Sequence, residues 1–195
     1  MKNRFVEYFS SISPLTVEEA EGIAQSMQTR SFQKGDFLVR EGQIASKTYF
    51  VLEGCIREYI LLEGEEKTTN FFTEDQWAIS LNGLSPGKPS THYWVCAEDT
   101  TVVAGDEQQA QALFERFPQF QTISRTIMES ALAEQKEALS SYYTDSPEKR
   151  YQKLVQSRPS LIQRIPQYQI ASYIGVKPES LSRIRKRMAS SPKKD

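Results

Sequence analysis

Histidine occurs once in this sequence, at His92, and cysteine twice, at Cys55 and Cys96. A single imidazole excludes the usual catalytic metal sites, which draw on two or three histidines together with a carboxylate. Beside Tyr93 and Trp94, His92 reads as a residue on a strand face. Two isolated cysteines supply neither a disulfide framework nor the ligands of an iron–sulfur cluster, and free, buried thiols are expected instead. No apolar run approaches the roughly 20 residues that span a bilayer, so no membrane partner is expected. The opening stretch, MKNRFVEYFSSISPLTVEEAEG, lacks the apolar core and small-residue cleavage site of a signal peptide, and a cytoplasmic location is expected. A Gly-rich phosphate loop, a nucleophile elbow and a Cys-x-x-Cys motif are missing too, which together point away from an enzyme.

Charge of one sign is also nearly absent as a net quantity, at -1 over 195 residues. That balance hides a division. Residues 145–195 hold 12 Lys and Arg against 4 Asp and Glu, a net +8, and residues 1–144 hold 12 against 21, a net -9. An acidic body joined to a basic tail implies two tasks, with the polyanion-facing one in the tail.

Residues 16–27 open with Thr16 three positions before Glu19, the reciprocal capping pattern of a helix start. From 30 to about 104 the pattern becomes short β-branched and aromatic runs, with Gly35, Gly42, Gly54 and Gly64 at turn positions. Such spacing predicts an antiparallel sandwich or barrel. After Gly105 helical spacing returns, and Pro118 is placed to begin a helix of about 25 residues. Phe120, Ile123, Ile127 and Ala131 form its stripe, widened by Met128, Leu132 and Leu139. The stripe has two candidate partners, the sandwich of its own chain and the same helix of a second subunit. The length of the helix favours a homodimer. Ser146, Pro147 and Glu148 then make a strong helix start, which sets a domain boundary near Thr144. The expected fold class is α+β. Residues 1–110 are expected to form an antiparallel sandwich with N-terminal helices, 111–143 a long helix and 144–195 a small all-helical basic domain.

The segment IPQYQIASYIGVKPESLSRIRKRM, residues 165–188, reads as a helix–turn–helix. Ile170, Ala171 and Ile174 give the first helix an inner side, and Ala171 is small enough for a close helix crossing. Gly175 ends that helix, Val176 plugs the turn and Pro178 opens a second helix with Leu181, Ile184 and Met188 inside. The face left outside, with the turn, carries Lys177, Glu179, Ser180, Arg183, Arg185, Lys186 and Arg187. Arg matches the two acceptors of guanine and Glu accepts from the cytosine amino group, so Glu179 and Arg183, one turn apart, are the candidate base readers. Lys186 and Arg187 are better placed for phosphates.

These residues resemble the C-terminal helix–turn–helix of the Crp/Fnr family of bacterial transcription regulators. KGDFLVREGQ followed by YFVLEGCIREY looks like the glycine-marked strands of that family's cyclic-nucleotide-binding jelly roll, and the long helix looks like its dimerisation helix. The resemblance spans roughly residues 5–188 in the family's order of parts. It implies a homodimer, a near-palindromic double-stranded DNA operator and, as a further candidate partner, RNA polymerase. By analogy Glu179 and Arg183 occupy base-reading positions. Pro178 stands where the cyclic-AMP-responsive members carry another arginine, so one base contact is expected to differ.

Two departures follow from the comparison. Only seven residues follow Met188, too few for the family's winged hairpin, and Lys193 and Lys194 are the candidate substitute. Cyclic-nucleotide-binding members also grip phosphate with an arginine and ribose with a glutamate. Anchoring on YWV puts Thr91 near the first position and Ile79 or Ser80 near the second, with Lys88 the one Lys or Arg of the loop. Without a bidentate arginine a buried phosphate is poorly compensated. Cyclic AMP is therefore not the expected effector. A pocket lined by Trp77, Ser80, Leu81, Lys88, Thr91 and Tyr93 would take some other small molecule or none. The competing readings are a ligand-binding or protein-interaction module that leaves DNA alone, and a true cyclic-nucleotide-responsive regulator.

Overall fold

The structure, a computed structural model, describes residues 2–26, 28–80 and 88–190. Leu81, Lys193 and Lys194 lie outside the described residues. Two helices, α1 (Lys2–Ile12) and α2 (Val17–Ser26), precede the strands. The capping box that starts α2 is present: the Thr16 amide donates to Glu19 Oε2 at 2.8 Å, and the Glu19 amide donates to Thr16 Oγ1 at 3.3 Å.

Among the described residues eight strands follow, β1 (Gln28–Phe32), β2 (Phe37–Val39), β3 (Lys47–Glu53), β4 (Ile56–Leu62), β5 (Glu65–Phe72), β6 (Trp77–Ala78), β7 (Tyr93–Cys96) and β8 (Thr100–Asp106). They pair antiparallel into two four-stranded sheets, ordered β1-β8-β3-β6 and β2-β7-β4-β5. This is the expected jelly roll. Side chains alternate across a strand, and in β3 both faces are buried. Tyr49 and Val51 join Ile56, Phe72, Trp94 and Val102 between the sheets. Phe50 and Leu52 point the other way, onto a helix layer supplied by Phe5, Phe9, Ile23, Leu113 and Phe120. Both thiols are free and buried; desolvation raises both above the usual thiol range, Cys96 to about 11.

The stretch assigned to one long helix at 111–143 is divided. Helix α3 (Glu107–Arg116) begins at an Asp106 capping box and ends before Phe117 and Pro118; α4 (Gln119–Thr144) carries on from there. Proline lacks the amide that would continue α3 but fits the first turn of α4. Phe120, Ile123 and Ile127 are buried against the first sheet and its helices, so they serve their own chain's core rather than a second subunit. Ala131, half-buried, is where that contact ends. From Leu132 to Ser140 every residue of α4 is exposed.

Helices α5 (Pro147–Ser157), α6 (Pro159–Arg164), α7 (Gln167–Tyr173) and α8 (Pro178–Ser190) complete the described chain. Ser146 caps α5, its hydroxyl accepting from the Lys149 amide at 3.3 Å. Tyr151, Leu154, Leu161, Ile170, Ile174 and Leu181 form a third core, which reaches into the roll through Phe71 and Cys55. Among the described residues no helix is long and apolar enough to cross a membrane.

Candidate nucleic-acid interface

The turn between α7 and α8 is fixed by backbone geometry. Gly175 has φ +73°, a left-handed value that costs an L side chain about 1–2 kcal/mol. The Val176 amide donates to the Ala171 carbonyl at 2.9 Å and the Gly175 amide to the Ser172 carbonyl at 3.1 Å. These are the two bonds of a Schellman motif, which satisfy carbonyls the helix end would leave open. Ala171 is fully buried at the crossing, as its size requires, and Val176 packs against the same core.

Leu181 and Ile184 are buried and Met188 is half-buried, which turns the opposite side of α8 to solvent. Glu179, Arg183 and Lys186 succeed one another at spacings of four and three residues, so they stand on one ridge. All three are exposed, and among the described residues Arg183 and Lys186 enter no ion pair. Lys177 is exposed in the turn and Ser180 is half-buried beside the ridge. Arg185 is exposed but lies four residues after Leu181, on the flank of the buried stripe rather than with Glu179 and Arg183. Arg187 is held at 2.9 Å by Glu148 of α5. The ridge therefore offers one acceptor and two free cations, a set suited to base edges and phosphates.

Of the described residues proposed to line an effector pocket, Trp77 and Ser80 border one cleft, whereas Lys88, Thr91 and Tyr93 do not. Trp77 of β6 faces the helix layer, with ring centroids 5.3 Å from Phe50 and 5.8 Å from Phe5. Tyr93 of β7 faces outward from the other sheet, stacked at 4.9 Å on Tyr59. Tyr93 is one position away from the inward Trp94, so strand parity sends it away from the interior. Thr91 is exposed and bonded through Oγ1 to His92 Nδ1 at 2.9 Å; Lys88 is exposed and Ser80 half-buried. A wide cleft opens between the roll and α4, lined by Trp77, Ser80, Ser90 and Trp94 on one side and Ile127 and Ala131 on the other. It also holds a carboxylate that the sequence reading passed over. Glu58, on the inner side of β4, accepts from Trp94 Nε1 at 2.8 Å and from Thr69 Oγ1 at 2.7 Å. Its signal was a charged residue two positions after Ile56, on what alternation makes the inward face.

A second missed residue is Arg150 of α5. Its guanidinium donates to the Tyr142 and Asp145 carbonyls at 3.0 and 2.7 Å and to the Ile174 carbonyl at 3.0 and 2.8 Å. It so ties the end of α4 to the end of α7. Nothing in a single basic residue of a helix start announces that role.

Residues 29–117 match the cyclic nucleotide-binding domain family. Among solved structures, FixK2 from Bradyrhizobium japonicum is similar with a TM-score of 0.71 and 16% identity, covering 84% of this chain and 85% of that one. The c-di-GMP-responsive global regulator CLP from Xanthomonas campestris gives 0.69 at 14% identity, over 90% and 92% of the two chains. Catabolite activator protein from Thermus thermophilus gives 0.57 at 19% identity, over 93% and 86%. No curated protein sequence matches the chain. At these identities the shared property is the fold: a jelly roll, a long helix and a C-terminal helical domain in one order.

Proposed function

We propose that this chain, a cyclic nucleotide-binding-type jelly roll joined to a helix–turn–helix in the Crp/Fnr order of parts, is a sequence-specific DNA-binding transcription regulator and not an enzyme. The observation that carries the reading is the ridge Glu179–Arg183–Lys186, exposed on a helix whose entry angle the Gly175 turn fixes. The +8 charge of residues 145–195 supplies the non-specific attraction to phosphate.

The active form is a homodimer joined along α4, and its two-fold axis requires a near-palindromic operator with half-sites about one helical turn or a multiple apart. The surface for that pairing is not the Phe120 stripe. Met128, Leu132, Gln135, Leu139 and Tyr142 recur at spacings of 4, 3, 4 and 3, a heptad seam of which Leu132 onward borders the cleft and stays uncovered by the roll. Leu132, Leu139 and Tyr142 are 57%, 58% and 54% exposed.

The effector is not cyclic AMP. Supporting this are the exposed Thr91 and half-buried Ser80 at the positions of the phosphate and ribose grips, and the carboxylate of Glu58 in the cleft, which opposes an anion. Selection of bound sequences from random DNA, followed by a salt titration on the winning operator, tests the DNA reading. The expected outcome is an enriched inverted repeat whose affinity falls steeply with salt. Folded protein that binds no DNA at low salt is an interaction module instead. Calorimetry with cyclic AMP should show no heat of binding, and saturable micromolar binding would restore the cyclic-nucleotide-responsive reading.

A further inference from the structure

The helix–turn–helix is not tethered loosely to the roll. Arg164, at the end of α6, reaches across to two loops of the jelly roll. Its Nη1 and Nη2 fork onto Glu74 at 3.0 and 2.8 Å, and its Nε donates to Glu98 Oε1 at 3.0 Å. The three side chains are 23–28% exposed, so the charges sit in a partly desolvated seam. Glu74 is itself anchored by the Gly54 amide at 2.9 Å. Gly54 has φ +100°, and a Cβ there would fall 2.4 Å from the Asp99 carbonyl, so only glycine fits.

Next to this triad α7 is stapled to the edge strand β5. Ser172 Oγ accepts from the Thr68 amide at 2.9 Å and donates to the Glu66 carbonyl at 3.2 Å. Arg158 donates to the Phe71 carbonyl at 2.8 Å, and the Phe71 and Tyr173 rings meet edge to face at 5.4 Å. Every one of these contacts comes from α6, α7 or the cap between α5 and α6. None uses the ridge of α8.

We infer that Arg164 is a positioning residue for DNA recognition, clamping the helix–turn–helix to Glu74 and Glu98 so that the α8 ridge is presented in one fixed orientation. The inference rests on the DNA-binding reading and adds how the roll governs it. In a two-fold dimer the clamp sets the distance between the two ridges, and with it the half-site spacing that fits. A preorganised reader also avoids the entropy cost of ordering a mobile domain on the operator. The bidentate geometry matters, since a lysine at this position offers one point charge for two carboxylates.

The test uses the full chain and the operator won by selection, with its spacer unchanged or lengthened by two base pairs. Arg164→Ala is expected to bind the unchanged operator roughly tenfold more weakly and to lose most of the preference for its spacing. Affinity for random DNA stays as in the wild type, and Arg164→Lys recovers only part. Glu98→Gln, a milder change, should move the same way if Arg164→Ala folds poorly. An Arg164→Ala protein that keeps its spacer preference overturns the inference, whether its overall affinity falls or not. Hydrogen exchange separates this failure from that of DNA binding itself. If the wild type binds no DNA, faster exchange of the Thr68 amide in Arg164→Ala still establishes the clamp, and unchanged exchange removes it.

Discussion

The exposed seam of α4 is best examined by Leu132→Glu with Leu139→Glu. Each leucine keeps 57–58% of its surface in water in the single chain. Full burial of a leucine side chain is worth about 1.5–3 kcal/mol, so covering what is left contributes about 1 kcal/mol each. Two protomers bring four such side chains, and about 4 kcal/mol is nearly three orders of magnitude in a dissociation constant. Glutamate at both positions removes this and places like charges across the axis. Sedimentation equilibrium over nanomolar to micromolar protein should show a dimeric wild type and a double variant that is monomeric throughout. Ile123→Ala is the control, because that side chain is 2% exposed in the helix–sheet core. It should cost about 2–5 kcal/mol of folding stability and leave association of the folded protein intact. A double variant that dissociates at the wild-type concentration, or a dimer lost through Ile123→Ala alone, would refute the heptad seam.

Three further outcomes are expected. Arg183→Ala should relax base preference at one position per half-site, with a loss of about 1–3 kcal/mol on the preferred base, whereas Lys186→Ala should weaken all sequences alike; selection profiles of the two variants distinguish them, and matching profiles sink the division of roles. Gly175→Ala should cost about 1–2 kcal/mol in urea denaturation, chiefly from its φ of +73°, since the Tyr142 ring atom 2.9 Å from the new Cβ belongs to a half-exposed side chain that can turn aside. Asp145, 4% exposed, is held by Lys149 at 2.8 Å, Lys153 at 2.7 Å and the Ser141 hydroxyl, which together keep its carboxyl well below the usual carboxylate range. A depressed pKa stabilises the fold above the unfolded value of about 3.9 and is lost as pH falls through the folded one, so Asp145→Asn should lower the melting temperature at pH 7 and the gap should close on acidification. A gap that widens in acid contradicts the assignment.

The helix–turn–helix was legible because its determinants are local. A small residue, a left-handed glycine, an apolar plug and a first-turn proline each act within a few positions, and Ala171, Gly175, Val176 and Pro178 stand where that logic puts them. The capping box at Thr16 and the Ser146 N-cap were readable for the same reason. Period alone says less about partners. It picked out Phe120, Ile123 and Ile127 as a stripe without saying that their own sheet covers them, and it did not separate them from Leu132 and Leu139, which stay exposed. In the strands the error was one of parity. Tyr93 is large and looks like lining, yet the inward neighbour is Trp94, and a shift of one residue reverses the face, while Trp77 does border the cleft.

What joins the roll to the C-terminal helices was the least visible in sequence. Arg164 lies 90 positions from Glu74 and 66 from Glu98. Arg150 spans 24 positions to the Ile174 carbonyl and 8 to that of Tyr142. These pairs form only because folding brings α5 and α6 between the end of α4 and the edge of the roll. The two arginines therefore hold the C-terminal helices from opposite sides, one on the end of α4 and one on the loops of the roll. A signal that shifted α4 against the roll could not leave both sets of bonds intact. If an effector acts through the cleft between α4 and the roll, its action must appear as a choice between the Arg150 and Arg164 contacts. Hydrogen exchange at Ile174's neighbours and at Thr68 should then change in opposite directions, and a uniform change at both would rule out that route.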